Sequence, residues 1–245
     1  MRSIAKRCNH HDGDRKEVIL KYMLEQVLDI RNEQKACQQV ISNVGSGGVD
    51  GMQTNGLRDF LNANWQTLRT DILEGKYRPQ AVKKVEIPKP QGGTRMLGIP
   101  TVTDRLIQQS LSQWMNNLWD NEYSANSYGF RPNKNAHQAV LQAQKFLNEG
   151  YDYVIELDLE KFFDKVNHDY LMHLLTKKIA DKRVLKLVRK YLTTAMMEGG
   201  VVSQRTEGTP QGSPLSPLLV QHSIARIRQR TSCKRTSLCK ICRRL

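Results

Sequence analysis

The run Tyr153-Asp-Tyr-Val-Ile-Glu-Leu-Asp-Leu-Glu-Lys-Phe-Phe-Asp164 constrains this chain more than any other segment. Its β-branched and aromatic residues favour an extended strand, which delivers Asp158 from the strand end into a turn. Asp158 and Asp164 stand six residues apart, with Phe162 and Phe163 between them. A carboxylate at a strand end, with backbone carbonyls beside it, suits a hard cation. Mg²⁺ is usually held by one or two carboxylates together with substrate phosphates. Taken alone, an Asp in this position is more often a turn or cap residue, so its chemistry depends on its surroundings. Asp164 reads as a structural turn residue rather than a ligand.

Those surroundings mix helices and strands. Residues 1–15 are polar and read as a disordered lead-in, where His10 and His11 are more simply solvated than metal-bound. Val18, Ile19, Tyr22, Met23, Val27 and Leu28 recur at helical spacing and predict a helix over residues 16–30. The glycines of Gly45-Ser-Gly-Gly-Val-Asp-Gly51 predict a loop with unusual backbone angles or a close approach. An amphipathic helix follows over residues 57–73. Two extended runs, residues 82–90 and 93–100, flank Gln91-Gly-Gly93 and predict a hairpin. Further helices are expected over 102–119, 135–148, 169–178 and 181–193, with a hairpin strand at 199–205. Thr209-Pro-Gln-Gly-Ser-Pro-Leu-Ser-Pro217 reads as a loop entering a helix. Without regular βα alternation the fold class is α+β rather than a doubly wound sheet.

Lys and Arg number 38 against 24 Asp and Glu, a net charge of +14, which favours a polyanionic partner such as nucleic acid over an acidic small molecule. Five cysteines without a leading apolar signal fit a reducing compartment, and a cytoplasmic location is expected. No segment approaches the ~20 apolar residues of a membrane span.

Five motifs occur in a specific order: Ile87-Pro-Lys-Pro90, Arg95-Met-Leu-Gly-Ile-Pro100, Tyr128-Gly-Phe-Arg-Pro132, the Asp158 run, and Gly208-Thr-Pro-Gln-Gly-Ser-Pro-Leu-Ser-Pro217. In this order the chain resembles the reverse transcriptases encoded by group II introns. The resemblance begins near Leu24, where Glu25-Gln-Val-Leu-Asp29 and Gly47-Gly-Val-Asp-Gly51 look like the family's N-terminal extension, and runs through Leu219. It implies the fingers and an incomplete palm of a right-hand polymerase, on an incomplete antiparallel sheet with the thumb absent. The implied divisions are a lead-in over 1–23, the extension over 24–80, fingers and partial palm over 81–219, and a tail over 220–245. The implied activity is RNA-directed DNA synthesis with Mg²⁺, bound competently only in the intact protein, which as a maturase would also help its intron RNA fold and splice. The implied partners are intron RNA, a DNA primer and dNTPs, and the alternatives are a noncatalytic intron-RNA-binding fragment or a related non-intron bacterial reverse transcriptase.

The resemblance also assigns roles. Asp158 matches the first catalytic, metal-binding aspartate, and Phe163 matches the aromatic that stacks under the incoming sugar and excludes a ribose 2′-hydroxyl. Lys89 and Arg95 match basic residues that meet the triphosphate, which suits both a point-charge Lys and a forked Arg. Gln211 and Gly212 match the residues beside the nascent base pair. Tyr128 and Arg131 match a template-contacting motif, with Arg131 the better candidate for a phosphate.

The resemblance stops at Val220. The tail carries eight of the 38 basic residues and no acid, so it supplies +8 of the +14 and leaves +6 for the rest. Ala225-Arg-Ile-Arg-Gln-Arg-Thr231 is encodable as GCT CGA ATT AGA CAA AGA ACT, and reading one nucleotide later gives Leu-Glu-Leu-Asp-Lys-Glu-Leu, the family's helix. The same shift turns Gln221-His-Ser-Ile224 into Asn-Ile-Val-Leu and brings Arg-Tyr-Ala-Asp-Asp, with the family's paired aspartates, out of Lys240-Ile-Cys-Arg-Arg-Leu245. A frameshift near residues 219 and 220 is therefore expected, leaving a truncated chain with weak polymerisation or none. Two other readings of the tail are an RNA-binding arm and a zinc site from Cys233, Cys239, Cys242 and His222. The zinc reading lacks a second close Cys pair.

Overall fold

The computed structural model describes residues 22–89, 92–154, 156, 158–159 and 161–231, excepting the side chains of 225–231. Helices α1 (Met23–Val27), α2 (Ile30–Ser42) and α3 (Leu57–Leu73) form the N-terminal part. Strands β1 (Val82–Pro88) and β2 (Thr94–Ile99) form a hairpin, followed by α4 (Val102–Trp119) and α5 (Ala136–Asn148). Then come α6 (His168–Thr176), α7 (Lys182–Leu192), the short strands β3 (Met196–Glu198) and β4 (Val201–Ser203), and α8 (Ser216–Thr231).

The sequence predicts α3, the β1–β2 hairpin and α4 with little error, because their apolar periodicity is long and their boundaries are marked. The expected helix over 16–30 is different: its described part breaks at Leu28, and Asp29 restarts the chain by capping α2, accepting from the Arg31 N–H at 2.9 Å. Residues 1–21 lie outside the described residues.

Helix α4 is the centre of the core. It is buried on most of its circumference, with Leu106, Ile107, Leu111, Met115 and Trp119 at or below 1% exposure, because α2, α1 and α8 all pack against it. The glycine-rich loop before α3 takes its composition from that packing. A Cβ on Gly48 would lie 2.6 Å from the Thr101 Cα at the start of α4, so the close approach is to the chain itself.

The sheet has the order β2-β1-β3-β4. Its junctions are not all antiparallel, which corrects the expectation of an antiparallel sheet: β3 runs parallel to β1, pairing Val82 with Met196 and Lys83 with Met197. The helices between β2 and β3 make the crossover that parallel pairing requires.

A second departure concerns residues 151–159. Their described residues form no strand, and Tyr153 is 95% and Val154 81% exposed. A strand is stable only with a ladder partner, and none of the four described strands pairs with this segment. Helix α5 beside it in sequence leaves Val140, Leu141 and Leu147 more than half exposed, with Ala139 as its one buried residue.

An ion network pins the N-terminal part to α7. Asp181 caps α7 through the Arg183 N–H at 2.8 Å and also accepts from the Leu24 N–H at 3.2 Å. Arg183 meets Glu25 in a two-pronged contact of 2.7 and 2.8 Å. Burial raises the Asp181 pKa, but the hydrogen bonds from Arg183 and Leu24 outweigh it and hold the carboxyl below its ordinary 3.8. The resulting stabilisation is present above pH 3.8 and is lost as pH falls through the lower folded value. Asp181→Ala is expected to cost about 1–2 kcal/mol at neutral pH, the usual worth of a cap, and to flatten the acid limb of a stability profile. Urea denaturation between pH 2 and 7 checks it, and an unchanged acid limb would refute it.

Candidate active site

Phe162–Asp164 form a single 3₁₀ turn, entered through Lys161 at φ 50° in the left-handed region. Phe162 and Phe163 are half-buried and pack on the core. The Phe163 ring meets Phe130 edge-on, with centroids 6.5 Å apart. Phe130 itself has φ 53°, a strained value that its loop maintains.

The loop over residues 208–213 wedges between this turn and the β-hairpin. On one side Gly208 N–H donates to the Val166 carbonyl at 2.8 Å, and Thr209 N–H donates to the Phe163 carbonyl at 2.7 Å. On the other, the Gln211 carbonyl accepts from Gly98 N–H of β2 at 2.7 Å. Ser213 hydroxyl donates to Gln108 Oε1 of α4, tying the loop to the central helix. Both glycines are obligatory. A Cβ on Gly208, at φ 75°, would lie 2.6 Å from the Asp164 carbonyl oxygen, and one on Gly212, at φ 106°, 2.6 Å from the Gly98 carbonyl oxygen.

The fold thereby assembles Phe163, Gln211 and Gly212 through main-chain bonds. Arg95 lies two residues from Leu97, whose side chain lies against Gly212, and so projects from the same face of β2, nearer the hairpin tip. Lys89 is exposed at that tip, where its N–H donates to the Gly93 carbonyl at 2.9 Å. Asp158 is exposed, in a segment whose described residues form no strand.

Tyr128 and Arg131 are placed differently. Tyr128 is buried, with Lys134 Nζ 5.0 Å from its ring centre. The Arg131 side chain turns inward: Nε meets Asp120 Oδ1 at 2.8 Å, and the guanidinium also donates to the carbonyls of Asp120, Ser124 and Ser127. It therefore organises the loop over 120–131, with its donors committed to protein.

Three further residues at the site are not marked by the sequence motifs. His168 is 3% exposed, with Nε2 2.6 Å from the Gly208 carbonyl oxygen, and a lone His carries no pattern that singles it out. Gln108 is detectable as a polar residue among the apolar positions of α4. Arg205 is half-buried beside the turn, its guanidinium against the Met196 sulfur; burial lowers its pKa, and the charge of Asp164 works the other way.

Reverse transcriptases generally use Mg²⁺. Among the described residues, no group of three or more His, Cys, Asp or Glu could hold an ion. The described donor set at Asp158 thus does not by itself fit a two-ion site. His222, the histidine of the zinc reading, is 3% exposed, and its ring lies 4.6 Å from that of Trp119; the tail cysteines lie outside the described residues. No described helix is long and apolar enough to cross a membrane.

Residues 87–242 match the family described as reverse transcriptase (RNA-dependent DNA polymerase). Escherichia coli protein YkfC is 36% identical over 176 residues, covering 70% of this chain and 46% of that protein. The group II intron-encoded protein LtrA of Lactococcus lactis is 31% identical over 185 residues, covering 75% and 31%. The putative COX1/OXI3 intron 2 protein of Saccharomyces cerevisiae is 30% identical over 215 residues, covering 86% and 24%. The chain thus spans less than half the length of these relatives. Among solved structures, a chain of a partial Cas6-RT-Cas1–Cas2 complex shares the fold, with TM-score 0.57 and 20% identity over 84% of this chain and 34% of that one. With its motifs in family order and its glycine loop joining the Phe162–Asp164 turn to the hairpin, this chain belongs to the reverse transcriptase family, as a relative of group II intron-encoded proteins.

Proposed function

We propose that this chain is the fingers and part of the palm of an RNA-directed DNA polymerase that acts on a group II intron RNA with a DNA primer and dNTPs, in the cytoplasm. The observation that carries this reading is the main-chain connection of the Phe163 turn to the 208–213 loop and of Gln211 to β2, which supports a site in which Phe163 would contact the sugar and Gln211 the nascent base pair. Arg95 and Lys89 would bind the triphosphate, while Tyr128 and Arg131 support the template side. Asp158 would give one carboxylate to Mg²⁺.

The family match runs on to residue 242, past the expected end of the resemblance at Leu219; we nonetheless propose that the reading frame departs near residue 220. Val220, Gln221, His222 and Ser223 lie in α8 at 3–5% exposure, and both polar atoms of the Gln221 amide lack a hydrogen-bond partner among the described residues. A buried amide without partners costs free energy. With the codons CAA CAT AGT ATT the shifted frame would place Asn-Ile-Val-Leu at 221–224, apolar at two of the three buried polar positions.

Two measurements test these readings. The nucleotide sequence across codon 220 is expected to show a single-nucleotide change, with the +1 frame open beyond codon 245; a closed +1 frame would end the frameshift proposal. Primer extension with Mg²⁺ is expected from the frame-restored protein, with a loss of at least about 100-fold in Asp158→Ala, and little or none from the present chain. Extension that survives Asp158→Ala would overturn the metal-binding role of Asp158, and no Mg²⁺-dependent extension from the frame-restored protein would overturn the polymerase reading. A second reading, a noncatalytic RNA-binding fragment, draws on the excess of positive charge and on the N-terminal extension and basic fingers that the chain retains. It expects salt-sensitive intron-RNA binding without extension, whichever frame is used.

A further inference from the structure

His168 occupies the first position of α6, directly after the cap residue Asn167, whose side chain accepts from the Tyr170 N–H at 2.8 Å. The cap fixes the backbone from which the imidazole projects into the interior, where it is 3% exposed. Its Nε2 lies 2.6 Å from the Gly208 carbonyl oxygen, 40 residues away in sequence. A carbonyl only accepts, so Nε2 carries the proton in this contact.

This bond joins two others on the same short stretch. Gly208 N–H donates to Val166 and Thr209 N–H to Phe163, so the polar groups around Gly208 are held by the segment over 163–168. Gly208 lies so close to Asp164 that a Cβ would not fit, and it cannot slide toward the turn. His168 opposes movement away from it. The next main-chain anchor of the loop is Gln211, which is bonded to β2. The spacing between the Phe163 ring and Gln211 therefore depends on where Gly208 is held.

We propose that His168 is a positioning residue for nucleotide selection: by holding the Gly208 carbonyl it fixes the Gln211 loop against the Phe163 turn, and so sets how closely a nucleotide sugar is enclosed. The inference rests on the polymerase reading for its ligand, a nucleoside triphosphate, but not for the lock itself. Because the contact is a buried bond from a ring nitrogen, reach is decisive. A Gln amide places its nitrogen near the position of Nε2, whereas an Asn amide falls short by one bond.

The test compares His168→Gln with His168→Asn in the full chain, using amide hydrogen exchange and equilibrium binding of dTTP and UTP in the presence of an RNA template and DNA primer. His168→Asn is expected to speed exchange at Gly208 and Thr209 by about tenfold or more while α4 keeps its protection. It is also expected to lower the dTTP-to-UTP affinity ratio several-fold, and His168→Gln to restore both. Unchanged exchange in His168→Asn, or equal effects of the two variants, overturns the lock. A loosened loop with an unchanged affinity ratio overturns the role in selection. Failure of the unsubstituted chain to bind either nucleotide, with the loop loosening as expected, overturns the nucleotide site while the lock stands.

Discussion

Gly208→Ala is expected to destabilise the protein by about 2–5 kcal/mol, because two separate costs add. At φ 75° an L-residue meets its own carbonyl, which costs about 1–2 kcal/mol. The new methyl would also lie 2.6 Å from the Asp164 carbonyl oxygen, 2.8 Å from its carbon and 2.9 Å from its Cα. These are backbone atoms in a turn held by its own hydrogen bonds, so they cannot rotate aside as a side-chain end would, and overpacking adds about 1–3 kcal/mol. Gly75→Ala is the control, because Gly75 has φ 74° and open space around its Cβ position. It should lose only the conformational part, about 1–2 kcal/mol. Equal losses for the two variants in urea denaturation would show that contact with the turn does not constrain Gly208.

Arg131→Ala is expected to cost about 2–4 kcal/mol, because it strips donors from the Asp120 carboxylate and three main-chain carbonyls at once. The Arg131 side chain is 8% exposed and that of Asp120 37%, which places the expected loss below that of a fully buried pair. Arg131→Lys should recover less than half, since an ammonium cannot fork across Asp120 and the carbonyls of Ser124 and Ser127 together. The salt dependence of RNA binding separates a loop organiser from a phosphate contact. Removing a phosphate-binding Arg lowers the slope of log K against log salt by about one, and an unchanged slope is expected for Arg131→Ala. A reduced slope with unchanged stability would move Arg131 to the nucleic-acid surface.

Legibility of the fold followed the range of the forces involved. Helices α3 and α4 and the β1–β2 hairpin are legible in the sequence, since each is determined by its own periodicity, turn residues and caps. The break at Leu28 is hidden because it rests on Asp29 capping a second helix within a continuous helical pattern. The parallel contact of β1 with β3 is hidden because it joins residues more than 100 apart through two residue pairs. The stretch around Asp158 has strand composition, yet it pairs with no described strand, and composition cannot supply a partner.

For the site, the residue types and their order were enough to establish the family, and Phe163, Gln211 and Gly212, proposed from that order, lie on segments that the structure joins by main-chain bonds. The positive φ at Gly208 and Gly212 belongs to the turn itself, but the contacts that exclude a Cβ there come from distant residues. Only the tertiary structure decided what those glycines touch, that Arg131 faces inward, and that His168 meets the Gly208 carbonyl. These depend on which distant backbone atoms come within hydrogen-bonding reach, and that proximity arises only when the helices pack around α4.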